Sequence, residues 1–205
     1  SRRLCRERRL KEIQGRSQTC RSLGISFEES EVDDNMKSDF ARKSSGCDEW
    51  YTPKEAIYPI LKYTKPNSTI WCPFDLDISN FVKVFKENGY DVINTHIDKG
   101  EDFFKINVPK CDYIISNPPY SLRNKVLTRL FEIRKPFAML MNVNGLFDNK
   151  LRWNLFKNNN FTLIYLNKRV NYMREYGKIE KSTSPFQSAY VCSGISDKQI
   201  IFEEI

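Results

Sequence analysis

The sequence predicts an α/β domain over residues 47–205, with a mainly parallel sheet covered by helices on both faces. Three observations predict it. Short apolar-rich runs bounded by turn residues, such as Ser68–Cys72 and Pro136–Val143, have the pattern of strands buried on both sides. Segments with helical periodicity lie between them, and strands alternating with helices imply parallel pairing through crossovers. The chain has 205 residues, 40% hydrophobic and 13% aromatic, which suits one ordinary domain with a real core.

Taken in order, residues 1–46 form an N-terminal extension distinct from the rest. Ser1–Arg21 is rich in arginine, with a short helix expected at Arg6–Gln14, and an acidic patch follows at Glu28–Asp34 before the linker Lys43–Gly46. A basic arm on nucleic acid and a solvated extension fit this composition equally. No apolar stretch follows the arginines, so no secretory signal is expected. Thr52 and Pro53 suit the N-cap and first position of a helix. Ser68–Cys72 is the first strand, and Ser79–Glu87 is a helix with Phe81, Val82, Val84 and Phe85 apolar, ending near Asn88-Gly89. Tyr90–Ile97 and Cys111–Ser116 are the second and third strands, the latter halted by Asn117-Pro118-Pro119. Leu122–Ile133 is a helix with Val126, Leu127, Leu130 and Phe131 on one face. Pro136–Val143 is a strand, Trp153–Phe156 fits a helix, and Phe161–Leu166 is another strand. Ser188–Cys192 and Gln199–Glu203 are expected to close the chain as a strand pair.

Composition narrows the class. No run approaches the ~18–20 apolar residues that a membrane span needs. The six cysteines include no C-x-x-C pair and His96 is the only histidine, so no metal site is predicted. Irregularly spaced cysteines imply reduced thiols and a cytoplasmic setting. The net charge of +7 favours polyanionic partners.

The chemistry concentrates in Ser116-Asn117-Pro118-Pro119-Tyr120, directly after a buried strand, where open α/β sheets place their ligands. Two successive prolines stiffen the loop and remove two N–H donors. The Asn117 side-chain oxygen and the Pro118 carbonyl are acceptors for the two hydrogens of a planar amine, Pro119 holds the loop, and Tyr120 can stack on the ring bearing that amine.

On these residues the chain resembles the amino-methyltransferase family, specifically adenine-specific (N6) DNA methyltransferases carrying an N-P-P-Y motif, and looks similar to small phage-type enzymes. The resemblance covers roughly residues 48–205. It implies a Rossmann-like, S-adenosylmethionine-dependent fold and methyl transfer to the exocyclic amino group of adenine in DNA, in a prokaryotic or phage-infected cell. Asn117, Pro118, Pro119 and Tyr120 would be catalytic. Tyr51, Thr52 and Pro53 match the Thr-Pro segment that contacts the donor in the family. Pro73, Phe74 and Asp75 occupy the donor loop after the first strand, where Cys72 replaces the usual acid and the family's glycines are absent, so Asp75 or Asp77 would supply the missing charge to the donor's ammonium, directly or through water. Asp98 is favoured over His96 for the donor's ribose, and Asp102-Phe103 for its adenine. Arg123, Lys125, Lys168 and Arg169 are candidate nucleic-acid contacts, and Lys181–Phe186 resembles a target-side loop. Two alternatives stand beside this expectation: the same chemistry on RNA or a protein glutamine, and an inactive methyltransferase-fold factor that binds DNA or a host protein.

Overall fold

The computed structural model describes residues 51–205 except 176, 177, 180–183 and 185, with the side chains of 174, 175, 178 and 179 also left aside. The N-terminal extension, with its expected helix, and most of the 181–186 loop lie outside the described residues.

A 3-10 turn at Lys54–Ala56 and helix α1 (Tyr58–Leu61) precede strand β1 (Thr69–Cys72). Then follow α2 (Asn80–Glu87), β2 (Asp91–Asn94), β3 (Tyr113–Ser116), α3 (Arg123–Ile133), β4 (Phe137–Asn142), α4 (Lys150–Asn158) and β5 (Thr162–Leu166). A small antiparallel pair, β6 (Met173–Glu175) and β7 (Lys178–Ile179), leads to β8 (Ser188–Ser193) and β9 (Ile200–Glu203). Seven strands form one sheet in the order β2-β1-β3-β4-β8-β5-β9. Only β8 runs against the others, pairing antiparallel with both β4 and β5.

Strand alternation sorts the core into two layers. Ile70, Cys72, Tyr113, Ile115, Ala138, Leu140, Ile164 and Tyr190 point to the face covered by Ile57 and Ile60 from the first helical segment and Phe81 and Phe85 from α2. Their sequence neighbours Trp71, Ile114, Phe137, Met139, Leu163 and Val191 point to the face covered by Val126, Leu127 and Leu130 of α3 and Phe156 of α4. Burial on both faces is what lets these strands read as apolar runs. The structure is thus a mixed α/β fold, a multi-stranded sheet flanked by helices. Among the described residues no helix is long and apolar enough to cross a membrane.

Two expectations need correction. The closing strands β8 and β9 do not pair with each other, because β5 lies between them. The burial patterns explain why: β8 is buried from Ser188 to Cys192 and needs neighbours on both edges, whereas β9 alternates exposed and half-buried residues as an edge strand does. Thr52 is also not an N-cap. Pro53 holds that position, in extended conformation and with no side-chain cap bond, so the Thr52 hydroxyl is left for another use. Elsewhere the differences are small. β2 stops at Asn94 rather than Ile97, since His96 begins a 3-10 turn at Ile97–Lys99 and accepts a hydrogen bond from the Asp98 amide.

Candidate functional site

The strand directions bring the carboxyl ends of β1 to β5 to one edge of the sheet. The loops after β1 (Pro73–Ser79), β2 (Thr95–Asp102), β3 (Asn117–Leu122), β4 (Val143–Asn149) and β5 (Asn167–Val170) all leave from it. Strand order reverses at β1, which has β2 on one side and β3 on the other, so the crevice between the loops after β1 and β3 is the topological switch point.

Asp75 and Ser116 span that crevice. The Ser116 hydroxyl donates to one Asp75 carboxylate oxygen and the Ser79 hydroxyl to the other. All three residues are buried. Burial pushes the Asp75 carboxyl up to about 6, and the two serine hydrogen bonds oppose that rise. The Asp75 amide donates to the Thr95 carbonyl (3.2 Å), and the Asn94 side chain donates to the Asp75 carbonyl (3.2 Å) and to the Asp77 carboxylate (3.1 Å). These bonds tie the loop after β1 to the end of β2. No residue from 73 to 79 has a positive φ, so the loop takes this path without the glycines that left-handed backbone would require.

Asn117, which follows Ser116, is half-buried, and its side-chain Nδ2 donates to the Thr52 hydroxyl (3.2 Å). Pro118 is buried and Pro119 half-buried; the Pro119 carbonyl accepts from the Leu122 amide (3.0 Å), closing the 3-10 turn Tyr120–Leu122. Tyr120 is half-buried in an aromatic group. Its ring stands nearly perpendicular to Phe186 (5.1 Å between centroids) and to Tyr172 (6.4 Å). Tyr172 is buried and donates to Ser188 (2.9 Å). Burial pushes its phenol up to about 12, so it stays a neutral hydrogen-bonding group at ordinary pH.

The remaining residues singled out from sequence divide by environment. Tyr51 is bridged to Met173 through paired main-chain bonds of 2.8 and 2.9 Å. Phe103 is buried between Trp71 (5.5 Å) and Phe74 (4.9 Å), with the Arg129 guanidinium over its ring at 5.4 Å, which leaves half-buried Phe74 nearer the surface. Asp98 is exposed, and Asp102 accepts from the Phe104 amide (3.0 Å). Asp77 is exposed and bound by Lys99 (2.7 Å), whose hydrogen bond, with that of Asn94, holds the carboxyl below its ordinary range. Arg123 donates to the carbonyls of Asn142 (3.2 Å) and Asn144 (3.1 Å), and so clamps the loop after β4. Lys125, Lys168 and Arg169 are exposed, the last two at the carboxyl edge after β5. Of two depressions among the described residues, one lies at the opposite end of the sheet around Leu130, Arg134, Pro136 and Gly194, and the other lies beyond the carboxyl end of β9 around Tyr58, Lys62 and Ile205.

Sequence reasoning missed Ser79 and Ser116 as partners of Asp75. It also missed Arg152, which is buried and donates to the carbonyls of Leu146 (2.7 Å) and Gly145 (2.8 Å) and to the Asn124 side chain. An arginine amid the apolar positions of a short helix was the available signal.

The loops after β1 and β2 thus carry exposed Asp77 and Asp98, half-buried Asp102 and the half-buried ring of Phe74. The acceptor-rich corner at Asn117 suits an amino group.

No sequence-family model matches the chain, and no curated protein matches it. Among solved structures it is similar to the crystal structure of a modification subunit of a putative type I restriction enzyme from Vibrio vulnificus YJ016, at 13% identity and a TM-score of 0.51. The match covers 89% of this chain but 54% of the other, so the chain spans about half the length of that subunit. At this level of identity the likeness establishes a shared fold.

Proposed function

We propose that this chain transfers a methyl group from S-adenosylmethionine to the exocyclic amino group of adenine in DNA, within a single Rossmann-like domain over residues 47–205. The observation that carries this reading is the position of Asn117-Pro118-Pro119-Tyr120: it leaves the carboxyl end of β3 beside the switch point, with Asn117, Pro119 and Tyr120 half-buried and the Asn117 carboxamide tethered. The fold shared with a modification subunit supports it.

The exocyclic nitrogen of adenine is conjugated into its ring and is a weak nucleophile. Acceptors at Asn117 Oδ1 and the Pro118 carbonyl draw its hydrogens out of plane, which localises the nitrogen lone pair and stabilises the positive charge that grows during transfer. Tyr120, backed by Tyr172 and Phe186, offers an aromatic wall for the base. The donor supplies an electrophilic methyl group on a sulfonium. Tyr51, Pro53, Pro73, Phe74, Asp98 and Asp102, with Phe103 supporting Phe74, would hold the donor, and Asp75 would act from beneath by fixing Ser116. No covalent intermediate on the chain and no metal is called for. An adenine paired in duplex DNA must turn out of the stack, at roughly a few kcal/mol. Lys168 and Arg169, and Lys125 at the start of α3, would hold phosphates while the loop after β4 is kept in place by Arg123.

The test is incubation with isotopically labelled donor and DNA, RNA or protein, followed by mass analysis of the digests. N6-methyladenine from DNA, absent with Asn117→Ala, is the expected result. Label in RNA or in glutamine moves the reading to those substrates. No label anywhere, with no heat on mixing the protein with the donor, leaves a binding factor on a methyltransferase-like fold.

A further inference from the structure

We propose that Thr52 is a positioning residue for Asn117: its hydroxyl holds the carboxamide nitrogen so that the carboxamide oxygen faces the amino group to be methylated. This rests on the transferase reading and assigns Thr52 a task other than contact with the donor.

Three observations carry it. The Asn117 Nδ2 donates to Thr52 Oγ1 at 3.2 Å, and Thr52 is only 5% exposed. A carboxamide is planar, so fixing its nitrogen sends its oxygen to the opposite side. The Thr52 hydroxyl also makes no helix cap, although a threonine before proline is well suited to one. Finally, the segment that carries Thr52 is held at several points. The Asn80 side chain donates to the Thr52 carbonyl at 2.9 Å; Tyr51 is bridged to Met173; the Pro53 carbonyl accepts from the Ala56 amide at 3.2 Å. The Tyr190 hydroxyl on β8 anchors the same segment by donating to the Ala56 carbonyl at 2.8 Å. A hydroxyl mounted this rigidly can hold a side chain 65 positions away in sequence at a set angle.

The opposite orientation of the carboxamide would set its NH2 against the substrate's NH2, donor against donor. Thr52 as acceptor and the adenine amine as donor are satisfied together by one orientation only. The consequence is specific: loss of the hydroxyl should slow the chemical step and leave donor affinity alone.

The experiment compares wild type, Thr52→Val and Thr52→Ser. Valine keeps the shape and removes the hydroxyl; serine keeps the hydroxyl. Expected is a fall in kcat of about 10- to 100-fold in Thr52→Val, the scale of a misplaced reacting group, with donor Kd unchanged within about twofold and kcat largely restored in Thr52→Ser. The Asn117 side-chain amide protons, followed by NMR without donor or DNA, should exchange with water faster in Thr52→Val than in the other two. A rise in donor Kd with unchanged kcat would assign Thr52 to the donor and overturn the proposal. So would full activity in Thr52→Val, equal loss in both variants, or unaltered amide exchange. A wild-type protein that methylates nothing sinks the transferase reading instead, and the exchange comparison then decides by itself whether Thr52 holds Asn117.

Discussion

Asp75 gives the most quantitative prediction. Its carboxylate is buried at the switch point, and burial raises its pKa from an ordinary 3.8 to about 6 despite hydrogen bonds from Ser116 and Ser79. Between these values the folded protein keeps a proton that the unfolded chain has released, so stability falls as pH rises from about 4 to about 6 and levels off above. At ~1.4 kcal/mol per pH unit, the full difference is about 3 kcal/mol. Asp75→Asn removes the titration and keeps the shape; its oxygen can accept from one serine and its NH2 can donate to the other. Urea unfolding of both proteins from pH 4 to pH 8 isolates the effect, since every other ionisable group cancels in the difference. Wild-type stability minus that of Asp75→Asn should fall by about 2–3 kcal/mol over this interval. A constant difference, or one that grows with pH, would refute the reasoning and mean that the carboxylate is ionised and well satisfied when folded.

Two further predictions concern the edges of the site. Arg152→Met removes the buried donors to the Leu146 and Gly145 carbonyls; it should cost about 2–4 kcal/mol in denaturant unfolding and speed amide exchange in the loop after β4. Replacing both Lys168 and Arg169 with Ala should weaken DNA binding and flatten the slope of log affinity against log salt by about 2, measured by fluorescence anisotropy, with donor binding unaffected.

Much of the fold was legible because its signals are local. Strands buried on both faces leave short apolar runs, and Pro118-Pro119 marks where β3 must end, so the corner at Asn117 could be located before any contact was known. The rest depends on contacts distant in sequence. Ser116 reaches Asp75 across 41 positions, and Asn117 reaches Thr52 across 65. No periodicity announces either bond. The same holds for the strand order: β8 and β9, adjacent in sequence, suggested a strand pair, but β5 lies between them. Thr52-Pro53 misled for a related reason. The pair is a good local helix start, and a tertiary hydrogen bond claimed the hydroxyl instead. Arg123, placed by its charge among nucleic-acid contacts, lies half-buried against main-chain carbonyls, since an arginine beside a loop satisfies backbone acceptors as readily as phosphate.

The most direct measurement of the central claim is a crystal structure of the protein soaked with S-adenosylhomocysteine. The sulfur should lie at the carboxyl edge of the sheet, between the loops after β1 and β3, facing the Asn117–Pro118 corner across a gap that admits a flat base. Density for the compound elsewhere, or none at millimolar soaking concentrations, would contradict the account.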